Sequence, residues 1–186
     1  MKTLGRILLG FVVILVVLIG VLFVTSPDAL DLHLEKEINA PAEEVWSVLA
    51  HQFAEMDKWS ATVDTARVLE ESEVPAGFDV APEAPIPGRS TTAALGEIHE
   101  IFTMYSEENM EYTFRAAELP FLLNYAHNTH RVTALDDGKS MVTFDLRLEL
   151  SGIFKALTPV LKGRFESTFG GVQDELKVYM ETGQGE

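Results

Sequence analysis

PVLKGRFESTFGGVQDELKVYM, residues Pro159 to Met180, decides the architecture of this chain. At helical spacing Leu161, Phe165, Phe169, Val172, Leu176 and Met180 fall on one stripe, with Lys162, Arg164, Glu166, Asp174, Glu175 and Lys177 on its flanks. Apolar steps of three and four residues define an amphipathic helix of about six turns. Gly170 and Gly171 interrupt it, each at a cost of about 1 kcal/mol relative to alanine in a helix interior. Two explanations are open: a kink or break, or side chains omitted to leave room for a guest between the helix and whatever it packs on. A filled core gains nothing by losing two central side chains, which favours the guest. Most of the preceding chain reads as short strands, so the expected fold is α+β, a long C-terminal helix lying on an antiparallel sheet.

The strands are read outward from that helix. Met141 to Leu150 alternates most clearly, with Val142, Phe144, Leu146, Leu148 and Leu150 against Thr143, Asp145, Arg147 and Glu149. Asp136-Asp-Gly138 turns the chain before it, and Leu123 to Leu135 forms the preceding strand. Glu111 to Ala116 puts Tyr112, Phe114 and Ala116 on one face. Arg89 to Ala94 and Glu97 to Tyr105 make a hairpin about Leu95-Gly96, where glycine supplies the positive φ of a tight turn. Leu30 to Ile38 alternates too, and Asn39-Ala-Pro41 stops it. Pro41, with Glu43 and Glu44 near the positive end of the helix dipole, starts a helix through Leu49 whose buried side is Val45, Trp46 and Leu49. A short helix over Phe53 to Trp59 and a strand over Ala61 to Leu69 follow.

The strand Glu97 to Tyr105 has two possible faces. Ile98, Glu100, Phe102 and Met104 make the more apolar one; Glu97, His99, Ile101 and Tyr105 make the other. If the first points inward, Glu100 needs a partner such as Arg89, Arg115 or Arg131. If the second does, Glu97 and His99 enter the interior. All three are candidate polar groups of a pocket.

Several short runs occur in a recognisable order: Ile38-Asn-Ala-Pro-Ala-Glu-Glu-Val-Trp-Ser-Val-Leu49 with Trp59 after it, Pro87-Gly-Arg89, Gly96-Glu-Ile-His-Glu-Ile-Phe102, Tyr112-Thr-Phe114, Asn124-Tyr125, Gly138-Lys-Ser-Met-Val-Thr-Phe144 and Leu176-Lys177. Together, over Leu30 to Glu181, they resemble the START-like or SRPBCC superfamily, which includes polyketide cyclase-like proteins, Bet v 1 and the abscisic acid receptors. The resemblance implies a helix-grip fold, a sheet curved around the C-terminal helix, with a cavity between them for a hydrophobic small molecule or lipid. It implies that Tyr125, His127 and Phe144 look toward the helix, and that the long loop with Glu70, Glu71, Glu73, Pro75, Pro82, Pro85 and Pro87 is either a lid at the cavity mouth or a solvated linker. The expected ligand-binding set is Tyr112, Phe114, Tyr125, His127, Phe144, Phe165, Phe169, Gly170 and Gly171. The same superfamily holds binders, carriers, receptors and enzymes, so fold does not fix function.

Ile7 to Val24 is apolar and free of charge and proline. Its roughly 18 residues span about 27 Å as a helix, near the ~30 Å of a bilayer core. Lys2 and Arg6 precede it and Asp28, Asp31 and Glu35 follow, which orients a single-pass anchor with a cytoplasmic N-terminus and the domain on the extracytoplasmic side. A cleaved signal peptide competes with this; the length of the run and Pro27 beside the only plausible cleavage point argue against it. The expected organisation is an anchor over 1–29, the START-like domain over 30–182 and a disordered tail over 183–186.

A net charge of −15 and the absence of a basic patch argue against nucleic acid and against adhesion to anionic lipid surfaces. With no cysteine there is no disulfide, thiolate metal site or cysteine nucleophile. Gly-x-Ser-x-Gly, P-loop and dinucleotide-binding motifs are missing, and no cofactor is implied. His127 and His130, three apart on a strand, face opposite ways and make a poor metal pair. The chemistry left open is proton transfer by His127 or His99 with Glu97, Glu100 or Tyr125, as in a cyclase or dehydratase, or no catalysis at all, in a binder or an interaction module.

Overall fold

A computed structural model describes residues 2–94 and 96–183. Leu95, at the tip of the expected hairpin, and 184–186 of the expected tail lie outside the described residues. The chain runs α1 (Lys2–Thr25), β1 (Leu30–Ile38), α2 (Ala42–Trp46), β2 (Thr65–Val68), β3 (Gly88–Ala93), β4 (Gly96–Ser106), β5 (Glu111–Ala117), β6 (Leu123–Ala134), β7 (Ser140–Leu150) and α3 (Thr158–Thr182). All seven strands form one antiparallel sheet in the order β1-β7-β6-β5-β4-β3-β2. Joining consecutive strands as hairpins leaves the chain's first strand at one edge, beside its last. One face of the sheet carries the core and is closed by α2 and α3, which is the helix-grip arrangement.

The helix after β1 begins behind Pro41 and does not stop at Trp46. It widens over Ser47–His51 into a π turn and continues as a 3-10 segment, Phe53–Lys58, so that Val45, Trp46, Val48, Leu49, Phe53 and Met56 all reach the core. β2 is shorter than the expected Ala61 to Leu69, because Ser60 and Thr62 turn instead to α3, where their hydroxyls meet the Glu175 carboxylate at 2.5 and 3.2 Å. β3 starts at a glycine for want of room: a Cβ at Gly88 would run into the Glu100 backbone.

The even face of β4 points inward, as its apolarity predicts, and Arg89 is the partner of Glu100. A bulge between Phe102 and Met104 then shifts the pleat by one residue. Tyr105 therefore turns inward beside Trp46 and Tyr112, not outward with His99. The acidic loop packs at two places, its later part, Ala81, Ala84 and Ile86, lying against the main core. Val74 and Phe78 pack on Leu69, Ile101 and Ala117, a second small core on the opposite, convex face of the sheet.

α3 runs unbroken through Gly170-Gly171, so the double glycine makes no kink. Its C-terminal half is held on β1: Gln173 donates to the Leu34 and Val142 carbonyls, Lys177 to the Glu37 carbonyl, Lys36 pairs with Asp174, and Glu181 accepts from the Asn39 amide. Val172, Gln173 and Leu176 are buried there, whereas Val160, Lys162 and Arg164 in the first half are exposed. The helix is thus clamped by polar bonds along its C-terminal half, while Phe165 and Phe169 of its first half are half-buried against the core. Gly183, with φ +71°, supplies the left-handed cap.

α1 ends against the turn Gly152–Leu157, where Lys155 pairs with Asp28 and lies over the Phe23 ring. The expected span starts at Ile7, among residues whose side chains lie outside the described ones. Over the described part, from Phe11 to Val24, no helix is long and apolar enough to cross a membrane.

Candidate functional site

The site is assembled by strand register. β7 sends Val142, Phe144 and Leu146 inward, and the hairpin centred on Asp137 sets His130 opposite Phe144. The imidazole lies flat on that phenyl ring, centroids 3.7 Å apart and planes 10° apart. On the next strand Tyr112 stands opposite His130; its hydroxyl is 2.6 Å from His130 Nδ1 and 3.2 Å from the Leu49 carbonyl. Burial, with the Arg89 charge adding to it, holds His130 well below the usual histidine range, so the ring is neutral at physiological pH. Burial likewise pushes the Tyr112 phenol up.

A second polar pair sits beside these rings. Arg89 is buried, bonds Glu100 through Nε, donates from Nη1 to the Phe53 carbonyl at 2.8 Å and stacks 4.0 Å over the Phe53 ring. Every strong interaction of this guanidinium is internal, the arrangement a buried charge requires.

Between these side chains and α3 lies a cleft of about 120 Å³, lined by Phe114, Asn128, His130 and Phe144 from the sheet and by Phe169 and Val172 from the helix. Met56, Arg89, His130, Phe144 and Val172 also line a water-sized space of about 20 Å³ that reaches inward to Tyr112 and Leu49. His130 Nε2 and Asn128 Oδ1 are buried without a hydrogen-bond partner. Native interiors rarely leave such atoms unmet.

Of the expected ligand-binding residues, the structure brings Tyr112, Phe114, Phe144 and Phe169 to this interior. Phe165 is half-buried and stacks on Phe169 at 6.4 Å. Gly170 and Gly171 are half-buried, and a Cβ at either would meet nothing within 4 Å. Glu100 faces the cleft, bound to Arg89.

Tyr125 and His127 do not belong to the site. They stand opposite Glu149 and Arg147 on the convex face, where their side chains bond each other at 2.8 Å. Odd positions of β6 pair with the outward positions of β7, so His127 could enter the interior only by breaking the register that brings His130 in. Glu97 and His99 are outside it as well: Glu97 accepts from the Ser90 hydroxyl at 2.5 Å and lies 3.3 Å from Arg67. The residues missed in the sequence are His130 and Asn128. Their signal was the turn, since His130 and Phe144 are equidistant from Asp137 and must share a face if the hairpin is regular.

No group of three His, Asp or Glu among the described residues could hold a metal ion. The sequence profile described as polyketide cyclase / dehydrase and lipid transport matches residues 29–181. The chain belongs to this family. The polyketide cyclase / dehydrase and lipid transport domain thus takes in everything from β1 to the last turn of α3, and α1 lies outside it.

Solved structures agree on the fold. A START superfamily protein from Mycobacterium smegmatis superposes with a TM-score of 0.62 at 13% identity, over 81% of this chain and 97% of that one. Norcoclaurine synthase from Thalictrum flavum gives 0.60 at 15%, over 87% and 91%. The Zhui aromatase/cyclase from a Streptomyces species gives 0.60 at 12%, over 85% and 99%. Identities this low speak to the fold alone. No curated protein sequence matches the chain.

Proposed function

We propose that this domain binds, and transfers or senses, a hydrophobic small molecule or lipid held between the sheet and α3. The observation that carries the reading is the cleft itself, with Phe114 and Phe144 facing Phe169 and Val172 across it and two of its lining side chains, Asn128 and His130, each holding a buried unpartnered polar atom. The family description, which covers both cyclases and lipid transport, is compatible with this reading.

The proposal extends to location: α1 holds the domain at a membrane, with the N-terminus in the cytoplasm and the domain on the extracytoplasmic side. Phe11, Ile14, Val17, Leu18 and Val24 are more than half exposed around the helix, a pattern suited to lipid and costly in water. A periplasmic or extracellular reporter fused after Glu186 should be active; cytoplasmic activity would refute the orientation.

Native mass spectrometry of the full chain, released gently from membranes, tests the binding reading. The expected result is a lipophilic adduct that disappears in Val172→Trp, which fills the cleft, while cooperative unfolding is retained. A chain without adduct, or an adduct unchanged in the variant, overturns it. A second reading, a cyclase or dehydratase using acid-base chemistry, is favoured by one observation, the neutral His130 imidazole on the cleft wall, whose buried Nε2 has no hydrogen-bond partner. Turnover of a lipophilic substrate that is lost in His130→Phe, with binding of its non-reacting ether kept, would decide for it.

A further inference from the structure

The polar atoms around the cleft can be counted proton by proton. Tyr112 has one proton and two contacts, the Leu49 carbonyl and His130 Nδ1. A carbonyl can only accept, so both contacts are satisfied only when the phenol donates to Leu49 and His130 donates Nδ1–H to the phenol oxygen. In that tautomer Nε2 carries a bare lone pair. It is buried and has no partner, and the ring that carries it lines the cleft. Asn128 Oδ1, on the same strand and lining the same cleft, is a second buried acceptor without a donor.

The charges argue in the same direction. Among the described residues Arg89 is the one cationic side chain on the cleft wall, and its guanidinium is engaged by Glu100, the Phe53 carbonyl and the Phe53 ring. A carboxylate entering here would meet two acceptor lone pairs and the Glu100 carboxylate, with no free cation to receive it.

We propose that the ligand's polar end is a neutral hydrogen-bond donor, a hydroxyl, received by His130 Nε2 and Asn128 Oδ1, and that the cleft selects against carboxylates. The proposal rests on the reading of the cleft as a ligand site and names what that site recognises. The apolar remainder of the ligand lies between Phe114 and Phe144 on one side and Phe169 and Val172 on the other. The cleft of about 120 Å³ suits about one ring, since a cavity of about 150 Å³ holds benzene, and the rest of the ligand extends out of it along α3.

Three probes of one shape test it by calorimetry on the full chain in detergent: 2-naphthol, 2-methoxynaphthalene and 2-naphthoate. Affinities are read as ratios between the wild type and variants, so that partition into micelles cancels. The preference for naphthol over each of the others should be at least about tenfold larger in the wild type than in the variants below, the scale of one buried acceptor satisfied or left unmet. His130→Phe keeps a ring on Phe144 and leaves Tyr112 its bond to Leu49; it should remove that preference and change methoxynaphthalene affinity by less than about twofold. Asn128→Leu should lower the preference in the same sense and serves if the first variant fails to fold. Naphthoate binding as tightly as naphthol, or variants that keep the preference, overturn the proposal. Methoxynaphthalene binding equal to naphthol in the wild type overturns it but leaves the cleft a ligand site, with water meeting the two acceptors. Binding of none of the three overturns the cleft reading and this proposal together.

Discussion

Lowering the pH from 7.5 to 5.5 should destabilise the wild type more than His130→Phe, and the difference can be worked from the site. Native His130 faces Arg89 from β3, Tyr112 from β5 and, beyond Arg89, the Glu100 carboxylate from β4; burial and the guanidinium keep it neutral. An unfolded histidine titrates near 6.5, so it is about one-eleventh charged at pH 7.5 and about ten-elevenths charged at pH 5.5. The unfolded chain takes up the proton and the native chain does not, so stability falls as the pH falls. For a native imidazole that stays neutral throughout, the loss is about 1.4 kcal/mol over this interval.

The assay is urea unfolding of both proteins at the two pH values, read by tryptophan emission, for which the buried Trp46 and Trp59 are suited. Subtracting the variant's change cancels the other titrations. His33, whose pKa is raised by Asp145, contributes the opposite sign in both proteins: its stabilisation is present at low pH and lost as the pH rises. Glu37, Glu73 and Glu181 have depressed values, so their contributions fade only below the carboxylate range, outside the interval. Equal losses in wild type and variant would mean that His130 takes up a proton in the fold, and the tautomer argument would go with it.

Removing one member of the buried ion pair should cost far more than removing both. Glu100→Ala leaves the Arg89 charge unmatched and should lose about 3 kcal/mol, whereas Arg89→Met with Glu100→Leu should recover most of it; a loss under about 1 kcal/mol in the single variant would show water reaching the guanidinium. Gly170→Ala and Gly171→Ala should each raise stability by about 0.5–1 kcal/mol in the same unfolding assay, because the helix is regular there and the added methyl meets nothing. A loss at either would show that close packing holds the glycine. His127→Ala, on the convex face, should change naphthol affinity by less than about twofold; a larger effect would place that face in the binding site after all.

The strands were legible wherever a local pattern carried them. Alternation in Leu30–Ile38 and Met141–Leu150 has one physical cause, a sheet with one face in the core, and it fixes which side chains point inward without knowledge of the neighbours. That an inward Glu100 needs an arginine followed from the same logic plus the cost of burying a lone charge, but the choice of Arg89 over Arg115 and Arg131 needed the sheet. Tyr105 was not legible, because a bulge is set by how a strand bends over its partners and leaves no mark in a nine-residue window. The convex-face core was hidden for a related reason: Val74 and Phe78 lie in a stretch with no period of its own, and only the tertiary fold brings them to Ile101.

The candidate site turned on a single count. A hairpin pairs residues equidistant from its turn, so an inward Phe144 commits His130 inward and His127 outward; the two histidines cannot both serve the interior. Position next to Tyr125 is a property of sequence, whereas facing Phe144 is a property of the sheet, and only the second places an imidazole over a cleft. The same count explains Asn128, which lies two residues from His130 and so shares its face. His130 has a structural use through Tyr112 and Phe144, but its Nε2 and the Asn128 Oδ1 are left without a partner. That pair of unmet acceptors, more than the double glycine of α3, is what supports the proposal of a guest between sheet and helix.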